Sequence, residues 1–85
     1  MPNTSDLEQN GWSVEGETLV KQFKFKNFVQ AFGWMSSVAL EAEKADHHPD
    51  WSNSYNTVTV RLTTHSAKAL TEKDTALAHK MDALA

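Results

Sequence analysis

The spacing of hydrophobic positions changes repeatedly along the chain, and each change predicts a new element. Residues 1–10 are polar around a single Leu7 and predict a mobile lead-in with no more than a short turn of helix. Trp12 and Val14 then alternate with polar residues, Glu15 and Gly16 form a turn, and residues 19–25 are rich in strand formers, which together predict a hairpin. The period of two puts Leu19, Phe23 and Phe25 on one face and Val20, Gln22 and Lys24 on the other, so one side is buried and the other wetter. From residue 28 the period lengthens. Phe28, Ala31, Phe32, Met35, Val38, Ala39 and Ala42 recur at steps of three and four, an apolar stripe that predicts a helix over residues 28–46. Asn27 followed by Gln30 has the form of an N-cap for it. Gly33 inside the stripe costs up to about 1 kcal/mol relative to Ala, which points to close packing there. The helix has to stop near His47, because Pro49 lacks the N–H that would continue the ladder and the residue before a proline avoids the α region.

Residues 51–55 predict a short strand and Asn56 with Thr57 a turn. Val58, Val60 and Leu62 alternate with Thr57, Thr59, Arg61 and Thr63, the clearest period of two in the chain. After a loop over residues 66–70, Thr71 and Asp74 form a capping pair, and Leu77, Met81 and Leu84 supply the inner face of a last helix. The order is strand, strand, helix, strand, strand, helix over residues 11–85. It predicts a single α+β domain, two-layered, with a four-stranded antiparallel sheet and two helices on one face.

Composition narrows the function. A domain of this length buries only about 60–65% of the surface its unfolded chain exposes, so self-association is a plausible supplement to the core. The uncovered sheet face and edge strands point the same way, to a homodimer or homotetramer. A net charge of −3 with eight scattered Lys and Arg argues against a nucleic-acid surface, which needs a concentrated basic patch. Without cysteine there are no disulfides, thiolate nucleophiles or thiolate metal ligands. The first ten residues hold no apolar run of the kind a signal peptide needs, and no stretch approaches the roughly 20 apolar residues of a spanning helix. No membrane contact is expected, and a cytoplasmic location is the default.

Five positions can carry chemistry, and each has an ordinary competing role. If the helix persists to His47, Glu43 lies four residues before it, close enough to orient the imidazole or to form an unremarkable surface pair. His48 before Pro49 can be a helix terminator favoured by the dipole. His65 follows the strand-like run, where a rigid scaffold often presents functional groups. Asp74 suits a capping box whatever else it does. Trp34, Trp51 and Tyr55 are packing residues first, although Trp51 can also wall a pocket and stack on a flat heteroaromatic ligand. His79, inside the last helix, reads as a solvated residue. A zinc site lacks ligand spacing, since adjacent His47 and His48 would point apart. With three glycines in the chain, no glycine-rich phosphate loop is present.

Jointly the positions are more informative. The chain reads Glu43, three residues, His47, His48, Pro49, five residues, Tyr55, nine residues, His65, eight residues, Asp74. This resembles the signature of the pterin-4a-carbinolamine dehydratases, the family also known as dimerisation cofactor of a homeodomain transcription factor. The likeness extends to Lys21, Gln22, Phe23, Phe25 and Lys26, to Ala31, Phe32 and Gly33, and to the run from Val38 through Lys44. It covers the chain from Gly11 onward and departs at the start, where the usual opening helix is reduced to ten polar residues. The resemblance implies dehydration of 4a-hydroxytetrahydropterin, left by aromatic amino acid hydroxylases, to quinonoid dihydropterin without cofactor or metal. It implies catalysis by His47 and His65 with Asp74 as the associated acid, and Glu43 is a second carboxylate able to fix a tautomer. Pterin-binding segments fall on Asp46, His47 and His48 and on Thr63, Thr64, His65 and Ser66, with Trp51 beside them. The alternative from the same family is a non-catalytic dimerisation or coactivator module with a transcription-factor partner.

Overall fold

The computed structural model describes residues 2–85, and Met1 lies outside them. Among these residues the elements are α1 (Ser5–Gln9), β1 (Ser13–Glu15), β2 (Thr18–Lys24), α2 (Phe28–Ala45), β3 (Asp50–Ser54), β4 (Thr57–Leu62) and α3 (Glu72–Leu84). The strands form one antiparallel sheet in the order β1-β2-β4-β3. This is the α+β architecture that the periodicity predicted, with one further helix at the start.

The β4 alternation sets the layering. Val58, Val60 and Leu62 are buried and stand in register with Phe23, Lys21 and Leu19 of β2, while Thr59 and Arg61 take the opposite face. Ala31, Trp34, Val38 and Ala42 of α2 and Leu77, Ala78 and Met81 of α3 close the core. Asn27 caps α2 by accepting from the Gln30 N–H at 2.9 Å. The β3–β4 turn is Tyr55–Asn56, one residue earlier than predicted, because Tyr55 at φ 50° leaves the extended region; Asn53 Nδ2 ties the corner by donating to the carbonyls of Tyr55 and Thr57.

Four expectations are corrected. The α2 stripe is rotated: Phe28 and Phe32 are exposed, and Trp34 enters the core in their place. Its indole N–H donates to the Met81 carbonyl at 3.0 Å, and its ring centroid lies 4.4 Å from Phe23 and 6.2 Å from Trp51. A helix with apolar residues on two faces does not reveal by spacing alone which face is buried. Gly33 is exposed, and a Cβ added there would meet nothing within 4 Å, so no close approach explains it. Leu84 is exposed as well. At the N-terminus, where a mobile lead-in is expected, Leu7 is 1% exposed and sits in the core cluster on the short helix α1, where its carbonyl accepts the Trp12 N–H at 3.0 Å.

The far end of α3 is fastened by a polar cluster. Lys21 faces the helices from β2, and its ammonium donates to Asp82 Oδ1 at 2.8 Å and to the Asn10 carbonyl at 2.6 Å. Trp12 Nε1–H donates to Asp82 Oδ2 at 2.9 Å, and the ammonium lies 4.6 Å from the Phe23 ring centroid. One side chain of β2 therefore joins the α1–β1 connection to α3.

Candidate active site

The end of α2 separates the two adjacent histidines. Pro49 prevents the helix from continuing, and the cap residue Asp46 turns left-handed at φ 52°, a conformation that Asp and Asn tolerate better than most residues. The His47 N–H returns to the Ala42 carbonyl at 3.1 Å. His47 then turns inward and His48 outward.

His47 is 11% exposed and places Nε2 2.5 Å from Oδ1 of Asp74, which is fully buried. Asp74 Oδ2 accepts the Thr71 N–H at 3.0 Å and the Thr64 hydroxyl at 2.8 Å. Capping and a role at the histidine had appeared as competitors for this carboxylate. It performs both, one oxygen closing the capping box of α3 and the other meeting the imidazole. A carboxylate only accepts, so the His47 proton on this side is on Nε2. Nδ1 makes no hydrogen bond among the described residues, and no buried side-chain polar atom there lacks a partner, so Nδ1 is not sealed from solvent.

The third segment leaves β4. Thr64 is buried, and its N–H donates to the Ala69 carbonyl at 3.2 Å, closing residues 64–69 into a tight loop with Lys68 at φ 52°. Leu70, buried, anchors the return, so His65 and Ser66 project from the tip. His65 is 77% exposed and its Nε2 lies 3.4 Å from Asp50 Oδ2, on the first residue of β3. The hairpin between β1 and β2 braces this loop, since the Glu17 carbonyl accepts the Thr63 hydroxyl at 2.7 Å and its carboxylate accepts the Leu70 N–H at 3.3 Å.

The fold thus joins segment 46–48 to segment 63–66 through Asp74, which both His47 and Thr64 reach. Asp46 and Ser66 are exposed beside them, and Trp51 is half-buried against Trp34. The expected pairing of Glu43 with His47 is corrected: the helix ends at Ala45, and Glu43 Oε1 meets His48 Nε2 at 2.8 Å on the surface instead. Asp50, Glu17 and the Thr64–Thr71 contact were not singled out from the sequence, because their partners lie far along the chain or look like ordinary loop residues. The groove between α2 and α3, about 550 Å³, has an aliphatic floor of Ala45, Ala76 and Leu77 and a rim of Lys and Glu, and it contains none of these histidines.

A buried carboxylate holding one imidazole nitrogen is an arrangement capable of proton transfer, carried here by a two-layer α+β domain. The sequence profile of the family described as pterin 4 alpha carbinolamine dehydratase matches residues 3–84, and the chain belongs to that family. A relative from Jannaschia sp. (strain CCS1) is 54% identical over 83 residues, covering 95% of this chain and 85% of its own. One from Prochlorococcus marinus (strain NATL2A) is 51% identical over 81 residues, covering 94% and 85%. Both are named for pterin-4-alpha-carbinolamine dehydratase, an assignment that their names mark as provisional. Among solved structures, the transcriptional coactivator/pterin dehydratase from Brucella Melitensis is 44% identical with a TM-score of 0.89, covering 99% of this chain and 97% of that one. A pterin dehydratase-like protein identified as a RuBisCO assembly factor in the alpha-carboxysome is 25% identical with a TM-score of 0.75, covering 87% and 88%.

Proposed function

We propose that this protein dehydrates 4a-hydroxytetrahydropterin to quinonoid dihydropterin, recycling the pterin of aromatic amino acid hydroxylases. The observation that carries the reading is the Asp74–His47 contact, which fixes one tautomer and turns a free ring nitrogen toward solvent. Loss of the 4a-hydroxyl needs a proton delivered to the departing oxygen. Removal of the N5 proton leaves its electron pair to form the N5–C4a double bond, and water departs. His47 and His65 supply the acid and the base, since imidazole serves either role near neutral pH. Asp46, His48, Thr63 and Ser66 line the pterin, Trp51 stands at its side, and Glu43 acts at one remove by holding His48. The chemistry is assigned to the cytoplasm, where free pterin and hydroxylase would meet it; no helix of the described residues is long and apolar enough to cross a membrane.

A second reading, a protein-partner module, is favoured by one observation. Phe28, Val29, Phe32 and Leu40 are exposed on α2, an apolar face that a second copy or another protein would cover. The two structural relatives named as coactivator and assembly factor fit that reading. Absorbance decay of 4a-hydroxytetrahydropterin, formed in place by a hydroxylase, separates the two. Decay faster than the spontaneous rate with wild type, and not with the His47→Ala, His65→Ala double variant, supports the dehydratase. No acceleration by correctly folded wild type rejects it in favour of the partner module.

A further inference from the structure

Thr64 lies in the segment that the family resemblance assigns to pterin binding, yet its surroundings suit a different task. Its residue is 5% exposed, and its hydroxyl lies 2.8 Å from Asp74 Oδ2 and 2.7 Å from Thr71 Oγ1. Thr71 Oγ1 in turn accepts the Lys73 N–H at 3.3 Å. Proton bookkeeping orients the row. The Asp74 carboxylate has no proton to give, so the single Thr64 proton goes to Oδ2. Thr64 Oγ1 is then the acceptor for the Thr71 hydroxyl. Every hydroxyl proton in the row is thereby assigned, all pointing toward Asp74, and the remaining oxygen Oδ1 faces His47 at 2.5 Å.

We propose that Thr64 is a positioning residue: its hydroxyl, backed by that of Thr71, holds the Asp74 carboxylate against His47 Nε2, so that His47 exchanges protons with a ligand through Nδ1. The reason is geometric. A carboxylate turns about its last bond, and the capping N–H of Thr71 alone fixes one oxygen from one direction. The Thr64 hydroxyl supplies a second bond to that same oxygen, which leaves Oδ1 a single orientation. Thr64 does not touch the substrate in this arrangement. The kinetic part of the proposal rests on the dehydratase reading; the part concerning the imidazole does not.

Two measurements test it. The first is the imidazole ¹⁵N spectrum of His47 at a pH where the ring is neutral, assigned with His47→Gln. Wild type is expected as the Nε2–H tautomer with that proton protected from exchange. Thr64→Val, which keeps the shape and removes the hydroxyl, is expected to mix the two tautomers and expose the proton. Thr64→Ser is expected to restore the wild-type signal. The second is carbinolamine turnover: Thr64→Val should lower kcat about tenfold with KM little changed, a loss of alignment rather than of binding, and Thr64→Ser should recover most of it. A wild-type ring protonated on Nδ1 overturns the proposal without any variant, so it stays testable even if Thr64→Val fails to fold. An unchanged tautomer in folded Thr64→Val overturns it too. A rise in KM with kcat retained would make Thr64 a substrate contact, which also overturns it. If wild type shows no turnover, the dehydratase reading fails and the ¹⁵N spectra alone decide the role of Thr64.

Discussion

The last helix holds a carboxylate at each end, and the two are satisfied by opposite kinds of partner. Asp82, near the C-terminus of α3, receives the Lys21 ammonium and the Trp12 indole N–H. Asp74, in its first turn, receives a backbone N–H, a hydroxyl and an imidazole. Both are largely or wholly removed from water, with side chains 12% and 0% exposed. The Lys21 end is closed: the ammonium and the indole N–H are both engaged in holding Asp82, and neither presents a second reactive atom. The His47 end is open, because an imidazole held on one nitrogen still offers the other. A buried carboxylate by itself therefore does not single out a candidate site. Whether its partner keeps a free nitrogen separates the two ends.

The comparison breaks most visibly in turnover. Replacing His47 and His65 together with Ala should bring dehydration close to the spontaneous rate, since each well-placed acid or base is worth about 10²–10⁴-fold. Asp82→Asn should leave turnover at the wild-type level, and an equal loss from both changes would abolish the distinction between the ends. In stability the order is less extreme. Asp74→Ala strands the Thr64 hydroxyl, the Thr71 N–H and the His47 ring beside a cavity, so urea unfolding should show a loss of about 3–5 kcal/mol. Lys21→Met keeps the apolar stem over Phe23 but leaves Asp82 with the Trp12 N–H, and should cost about 1.5–3 kcal/mol by the same measurement while turnover persists. Smallest of all is Glu43→Gln, which weakens the exposed contact with His48 and should shift stability by less than about 0.5 kcal/mol. A larger shift would mean that the surface pair, and not only the buried one, holds the end of α2.

Much of the architecture could be read from neighbours along the chain. The β4 alternation, the Asn27 cap, the stop imposed by Pro49 and the Thr71–Asp74 box each depend on residues within a few positions of one another, and each stands in the structure as the spacing predicted. The family and its signature were likewise legible, because they rest on residue identities at fixed separations. The separations do not say which atoms meet. Glu43 was matched with His47 on the assumption of an unbroken helix, and a single left-handed residue, Asp46, redirected it to His48. Phe32 and Trp34 compete for the core at one helix, and the choice went to the ring whose N–H found the Met81 carbonyl 47 residues away. Leu7 looked too isolated to anchor anything until α3 supplied the other wall.

By itself, then, the sequence determined the order of the elements, the caps, the layering of β4 and the identity of the candidate histidines, since these follow from steric and hydrogen-bonding rules acting over one or two turns. Only the tertiary structure decided which face of α2 is buried, that Asp74 meets His47 while Glu43 meets His48, and that the Thr64 hydroxyl is buried against Asp74. Those outcomes depend on which groups lose water together when β4, the end of α2 and the start of α3 converge, and no local pattern encodes a competition among partners so far apart in the chain.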